Sequence, residues 1–265
     1  METRKRNILL LRGGGDAEKS TNDAYDDLQS LLSNVKVMQI SVLSFVFVHL
    51  DLLTRRLNNP SDYEGIVFTS PRAVEAVNQV KASFPQESWG GEHKSVYVVG
   101  EATASKVHQL LGWKSLNGLE AGNATNLAQI IAKSEKPGSK LLFPCGNLKR
   151  NELEKGLIEA EITLNPTVCY ETQPKENLAS IIEEIDLTTL DYVVFFSPSG
   201  VKASLPLLRE KWPQFGTETT KVALGPTTAE CLRDHGCQCL VASKPNAQSV
   251  MTLIKETMST SSSSD

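Results

Sequence analysis

The stretch "FTSPRAVEA" (residues 68–76) is echoed 127 positions downstream by "FFSPSGVKA" (195–203). The two share Phe, Ser-Pro, Val and a closing Ala, with a small residue, Ala73 or Gly200, before the Val. Each reads as an apolar strand that turns into a helix. Ser70 and Ser197 fall at or near the N-cap, and Pro71 and Pro198 at the first helical position. The echo extends in both directions. "VYVVGEATASKVHQLLG" (96–112) matches "KVALGPTTAECLRDHG" (221–236), pairing Gly100 with Gly225, Thr103 with Thr228 and Ala104 with Ala229. "GNATNLAQII" (122–131) resembles "PNAQSVMTLI" (245–254), and "NILLLRGG" (7–14) resembles "KLLFPCGN" (140–147).

The surrounding pattern is strand–helix–strand throughout. Strands are predicted at Ile8–Leu11, Val35–Ile40, Gly65–Thr69, Ser95–Val99, Lys140–Phe143, Val168–Thr172, Tyr192–Phe196 and Lys221–Leu224. Many are continuous apolar runs, as expected of parallel strands covered on both faces. Helical patterns at Ser70–Val80, Thr103–Leu111, Asn126–Lys133 and Thr227–His235 separate them, with Gly112 and Gly236 at two C-terminal ends. This is the signature of α/β layers, here two similar doubly wound parallel-sheet domains of flavodoxin-like type.

The echoes are not in head-to-tail order, because "KLLFPCGN" follows its own Ser-Pro and Thr elements while "NILLLRGG" precedes them. Two crossings between domains resolve this. One domain is expected from residues 1–40 and 171–265, with a disordered Ser-rich tail from about 258; residues 41–170 form the inserted other. The crossover would be two-stranded, near Ser41–Val48 and Cys169–Thr172, and a ligand cleft is expected between the domains.

Composition narrows the function classes. The net charge of −4 gives no basic field for nucleic acid, and Lys and Arg cluster only at the N-terminus and in "NLKRNELEK". No run approaches the roughly 20 apolar residues of a membrane span, and the N-terminal apolar run is too short for a signal peptide. A cytosolic protein without a membrane or nucleic-acid partner is expected. The five cysteines, an odd number, read as free thiols. "HGCQC" (235–239) offers too few ligands for a tetrahedral metal site, so Cys237 and Cys239 read as packed residues.

The turns carry what chemistry there is. Helix starts at strand C-terminal ends present unpaired backbone N–H groups and hydroxyls, which suit carboxylates or phosphates. "RGGGDAEKS" (12–20) lacks the Gly-Lys-Ser/Thr of a phosphate loop at the required spacing and reads as a strand-to-helix connection. His49, His93, His108 and His235 read as surface or structural residues.

Taken together, "FTSPRAVEA", "SVYVVGEATAS", "LLFPCGNLKR", "FFSPSG" and "LGPTTA" resemble the uroporphyrinogen-III synthase family of the animal type, over roughly residues 7–255. The resemblance implies cyclisation of hydroxymethylbilane, a linear tetrapyrrole with eight carboxylates, to uroporphyrinogen III. Water is lost and ring D is inverted, in the haem pathway, without a metal or organic cofactor. The family's substrate-binding motifs fall on Ser70 and Arg72, Gly100 and Thr103, Cys145, Gly146 and Asn147, Ser197, Ser199 and Gly200, and Thr227 and Thr228. Tyr170 matches the tyrosine near the family's cleft and is the candidate catalytic residue, a phenol donating to the departing hydroxyl. Arg72 and Lys221 are candidate carboxylate partners. A monomer acting on a small molecule is expected. The alternative from the residues alone is a non-catalytic two-domain small-molecule binding protein.

Overall fold

The structure, a computed structural model, describes residues 5–14, 35–90, 94–149, 151–215 and 219–261. Strands β1 (Arg6–Arg12), β2 (Val35–Ser41) and β3 (Leu43–Phe47) come first, then helix α1 (Leu50–Leu57), β4 (Gly65–Phe68) and α2 (Pro71–Gln79). β5 (Ser95–Val98) leads into α3 (Glu101–Lys106), which continues as a π-helical turn over Val107–Leu111 and stops at Gly112 in the left-handed region. Next come α4 (Ala124–Ser134), β6 (Lys140–Gly146), α5 (Glu152–Ile158) and the long β7 (Thr163–Pro174). The chain finishes with α6 (Leu178–Glu183), β8 (Tyr192–Phe195), α7 (Pro198–Lys211), β9 (Thr220–Ala223), α8 (Pro226–Asp234), β10 (Leu240–Val241) and α9 (Ala247–Ser261).

The chain separates into two compact units, residues 1–45 with 173–265, and residues 46–172. Both switch points lie inside strands, in β3 and β7, which are neighbours in one sheet. The first unit carries a sheet ordered β10-β9-β8-β1-β2, and every adjacent pair is parallel. Counted in chain order, this is 2-1-3-4-5, the flavodoxin-like arrangement. Its inner strand β1 shows why the apolar runs are continuous. Leu9 and Leu11 pack with Val193 and Phe195 on one face, Ile8 and Leu10 with Val194 and Val222 on the other. With both faces covered, no polar alternation survives.

The second unit has the order β3-β7-β6-β4-β5, with β7, β6, β4 and β5 mutually parallel. A further parallel bridge joins Tyr97 to Asn117 beyond β5. Laid beside the first sheet, β7 corresponds to β2, β6 to β1, β4 to β8, β5 to β9, and the Asn117 bridge to β10. The three echoed pairs that contain strands therefore occupy the same sheet positions, and the fourth pair forms helices α4 and α9. The second unit is a circular permutation of the first, entering at the third strand, which is why the echoes run out of linear order.

Local chemistry agrees with the caps read from sequence at the Ser-Pro turns. Ser70 Oγ accepts from the Arg72 N–H at 3.2 Å, and Ser197 Oγ from the Gly200 N–H at 3.1 Å. The Thr elements differ. Gly100 and Gly225 take the cap positions, so Thr103 and Thr228 are the third residues of α3 and α8, each 2% exposed. The two-residue β10 escapes the sequence reading, whereas β3 lies where the first strand of the two-stranded crossover is expected, near Ser41–Val48. Helix α9 runs to Ser261, past residue 258; residues 262–265 lie outside the described residues. So do His93 and residues 15–20 of the Gly-rich stretch.

Candidate functional site

In the 46–172 unit, β6 lies between β7 and β4, so the C-terminal ends of these three strands are adjacent. The strand order reverses here, between β6 and β4, and open α/β sheets bind ligands at such a point. A cavity of about 510 Å³ occupies this edge. Phe143 and Leu153 supply apolar lining, and Ser70, Lys149 and Tyr170 polar lining. The first turn of α4, at Ala124 and Thr125, opens into the same space.

Tyr170 is placed by what faces it. An ideal Cβ on Gly146 would lie 2.6 Å from two carbons of the Tyr170 ring, so the phenol rests directly on glycine backbone. The β6–β7 register slips at this point, with Cys145 opposite Val168 but Gly146 opposite Tyr170. Asn147 pins the end of the pair. Its N–H donates to the Tyr170 carbonyl at 3.2 Å, and its Oδ1 accepts from the Thr172 N–H at 3.0 Å. Burial pushes the Tyr170 phenol above its ordinary value of 10, with a side-chain hydrogen bond to Ser70 and the charge of Arg72 opposing part of the rise. A protonated phenol, hydrogen-bonded to a helix-capping serine, is a proton donor across the neutral range.

The thiol of Cys145 also lines the cavity but is 2% exposed, and burial pushes it to about 11. Cys169, one strand over, is pushed to about 12 by burial. At neutral pH neither is a thiolate nucleophile. Lys149 has its ammonium 2.9 Å from both carboxylate oxygens of Glu154. It sits on the turn closed by its own N–H donating to the Gly146 carbonyl at 3.2 Å.

The other unit has a smaller cavity, of about 270 Å³, at the ends of β8, β9 and β10. Phe196, Gly225, Thr227, Thr228 and Lys244 line it. Among the described residues, no group of three or more His, Cys, Asp or Glu side chains is placed to hold a metal ion. Nor is any described helix long and apolar enough to cross a membrane. The Nδ1 atoms of His108 and His235 lie 2.8 and 2.7 Å from backbone carbonyls, of Trp113 and Cys231.

A family model described as "HEM4: Uroporphyrinogen-III synthase HemD" matches residues 31–252. The chain belongs to the uroporphyrinogen-III synthase family. The uroporphyrinogen-III synthase of Saccharomyces cerevisiae is 29% identical over 205 residues, covering 72% of this chain and 74% of the yeast protein. Among solved structures, a uroporphyrinogen-III synthetase from Helicobacter pylori aligns with a TM-score of 0.61 at 18% identity, over 95% of this chain and 99% of that one. A mutant uroporphyrinogen III synthase from Thermus thermophilus aligns at 0.53 with 14% identity, over 96% and 99%. At these identities the structural likeness speaks for the fold.

Against this family's motifs, the structure gathers some sequence-derived candidates and separates others. Ser70, Cys145, Gly146 and Tyr170 meet at the larger cavity, while Thr227 and Thr228 line the smaller one. Ser197, Ser199 and Gly200 form the cap and first turn of α7. Gly100, Thr103 and Asn147 hold backbone geometry or are buried, and do not line the larger cavity. Arg72 is engaged with Glu75 at 2.6 Å, a carboxylate that also takes Lys106 at 3.0 Å. Lys221 lies near the start of β9, roughly 7 Å of strand from its C-terminal end. It is 4% exposed, with Nζ 5.1 Å from the centre of the Phe215 ring, and burial lowers its pKa. Lys149 and the α4 start were missed, although "NLKRNELEK" stands out in sequence as a local cationic cluster.

Proposed function

We propose that this chain catalyses the reaction for which its family is named, converting hydroxymethylbilane to uroporphyrinogen III as a cyclising lyase of tetrapyrrole biosynthesis. The family match over residues 31–252 carries the reading. Tyr170 donates its proton to the terminal hydroxyl, which departs as water. The resulting azafulvenium-like cation is attacked by the substituted ring-D position, giving a spiro intermediate whose opening and reclosure invert ring D. The final ring proton lost on aromatisation restores the phenol, so the sum is substrate to product plus water. Unaided, the same cation closes to the uninverted isomer, so the protein's contribution is the positioning of ring D.

Helix-start donors at Ser70, Ser197, Ser199 and Gly200, with Gly100, Thr103, Thr227 and Thr228, hold substrate carboxylates in this reading, largely through backbone N–H groups. The Cys145–Asn147 turn shapes the seat of Tyr170. No cofactor enters the scheme. A cytosolic monomer, acting on this small molecule without nucleic acid or membrane, completes the proposal; cell fractionation and sedimentation test that part. The decisive assay incubates the protein with freshly made hydroxymethylbilane and resolves the oxidised products by isomer. Type III product in proportion to protein is expected. Type I product alone, at every protein concentration, would leave a non-catalytic binding protein instead.

A further inference from the structure

The larger cavity is lined by two charged side chains that the scheme above does not use, Lys149 and Glu152, and Lys149 is ion-paired behind the lining with Glu154. Lys149 lines it, 23% exposed, and is held by both oxygens of Glu154 at 2.9 Å; Glu154 is 30% exposed. The Lys149 side chain springs from the turn that follows β6, on the same cavity wall as Gly146 and Tyr170. A lysine ammonium has three donors, and Glu154 takes two. The third is available to a second anion. While Glu154 is charged, the pair is neutral and the cavity offers an incoming carboxylate little net attraction.

Resting on the proposed function, we infer that Lys149 is a substrate-binding residue that takes one carboxylate of the tetrapyrrole, and that Glu154 is its built-in competitor. Glu154 holds Lys149 against the cavity wall in the free protein and yields donors to the substrate on binding. The two side chains then act on affinity in opposite directions. A pair that served only to hold the turn would not do this, because losing either partner would break the same link.

Four proteins test it: wild type, Lys149→Met, Lys149→Arg and Glu154→Gln. Each is assayed for KM and kcat on hydroxymethylbilane, and for equilibrium binding of uroporphyrin III with its octamethyl ester as the uncharged control. Lys149→Met is expected to raise KM and the uroporphyrin Kd about ten-fold, roughly the worth of one partly screened charged hydrogen bond. Lys149→Arg recovers most of that loss. Glu154→Gln lowers both constants about three-fold, and binding by wild type falls more steeply with added salt than binding by Lys149→Met. The ester distinguishes none of the proteins. Shifts of the same sign for Lys149→Met and Glu154→Gln, or none for Lys149→Met, overturn the inference. If wild type makes no type III product, the proposed function fails, and the uroporphyrin series still decides the role of Lys149.

Discussion

At the residue scale, the site turns on a tyrosine lying on a glycine. Tyr170→Phe removes the proposed donor while keeping the ring on Gly146, and kcat is expected to fall about 100-fold with little change in KM, the low end for a lost general acid. Gly146→Ala would drive a methyl to 2.6 Å of the same ring and displace it. Its kcat should fall comparably, although the phenol is still present, and a crystal structure of the variant checks that the ring has moved. The pH dependence has a definite sign. With the Tyr170 pKa raised above 10 by burial, the phenol is protonated in both folded and unfolded protein below pH 10. Above 10 the unfolded chain loses its proton first, so stability from this group is lost as pH rises through the folded value. A pH–kcat profile should therefore show no alkaline limb from Tyr170 below pH 10. An alkaline limb near pH 8 that disappears in Tyr170→Phe would contradict the assignment. Ser70 and Gly146 were legible in sequence because each sits at a strand end inside a distinctive string, whereas Tyr170, within β7, was reached through the family resemblance. Lys149 and Thr125 were not, because only the sheet order brings the turn after β6 beside the start of α4. For Lys221 the residue type suggested a carboxylate partner, but which end of β9 it occupies and what covers it depend on tertiary packing.

At the element scale, helix ends explain more of this molecule than helix interiors. The Ser-Pro starts were readable because cap chemistry is local, whereas α6 was not recognised, and its C-terminal end shows why. Its last carbonyls are satisfied by a residue from another helix. Lys211, at the end of α7, donates to the carbonyls of Ile182, Glu183 and Ile185 at 2.6, 2.5 and 2.6 Å. A cation at a helix C-terminus also meets the negative end of the helix dipole. No pattern within residues 178–185 announces that partner. Lys211→Met keeps the aliphatic stem and removes the ammonium, and should cost about 1–2 kcal/mol, since some of the freed carbonyls regain water. Urea denaturation measures it, and a midpoint unchanged from wild type would show that the cap contributes nothing. The same comparison separates a stability effect from a catalytic one: Lys211 ends α7, at the opposite end from its Ser197 cap, and lines neither candidate cavity, so type III product formation should persist in the folded variant.

At the scale of the whole molecule, permutation decides which parts of the chain can stand alone. The unit 46–172 is continuous and carries β4 to β6 with most of β7. Its sheet is covered on both faces from within: Ile66 and Phe68 pack on one side, Val67 and Phe143 on the other. Its length, about 130 residues, is enough to bury a core of ordinary size. The other unit is assembled from two segments. β1 and β2 come from residues 1–45, and β8, β9 and β10 from 173–265. Its inner strand β1 pairs with β2 on one side and β8 on the other, so neither segment contains a complete sheet. The close approach of Gly14, whose ideal Cβ would lie 2.0 Å from the Leu43 carbonyl oxygen, fixes the first segment against its own exit strand but supplies no second sheet face. Residues 46–172 expressed alone are therefore expected to fold, with a cooperative urea transition and a dispersed amide NMR spectrum. Residues 173–265 alone should give neither, and should gain both when mixed with a 1–45 peptide that restores β1 between β2 and β8. A non-cooperative 46–172 fragment would mean that the inserted unit draws part of its stability from outside its own two cores. A folded 173–265 fragment would mean that β8 can close the sheet without β1, contrary to the strand order on which the permutation argument rests.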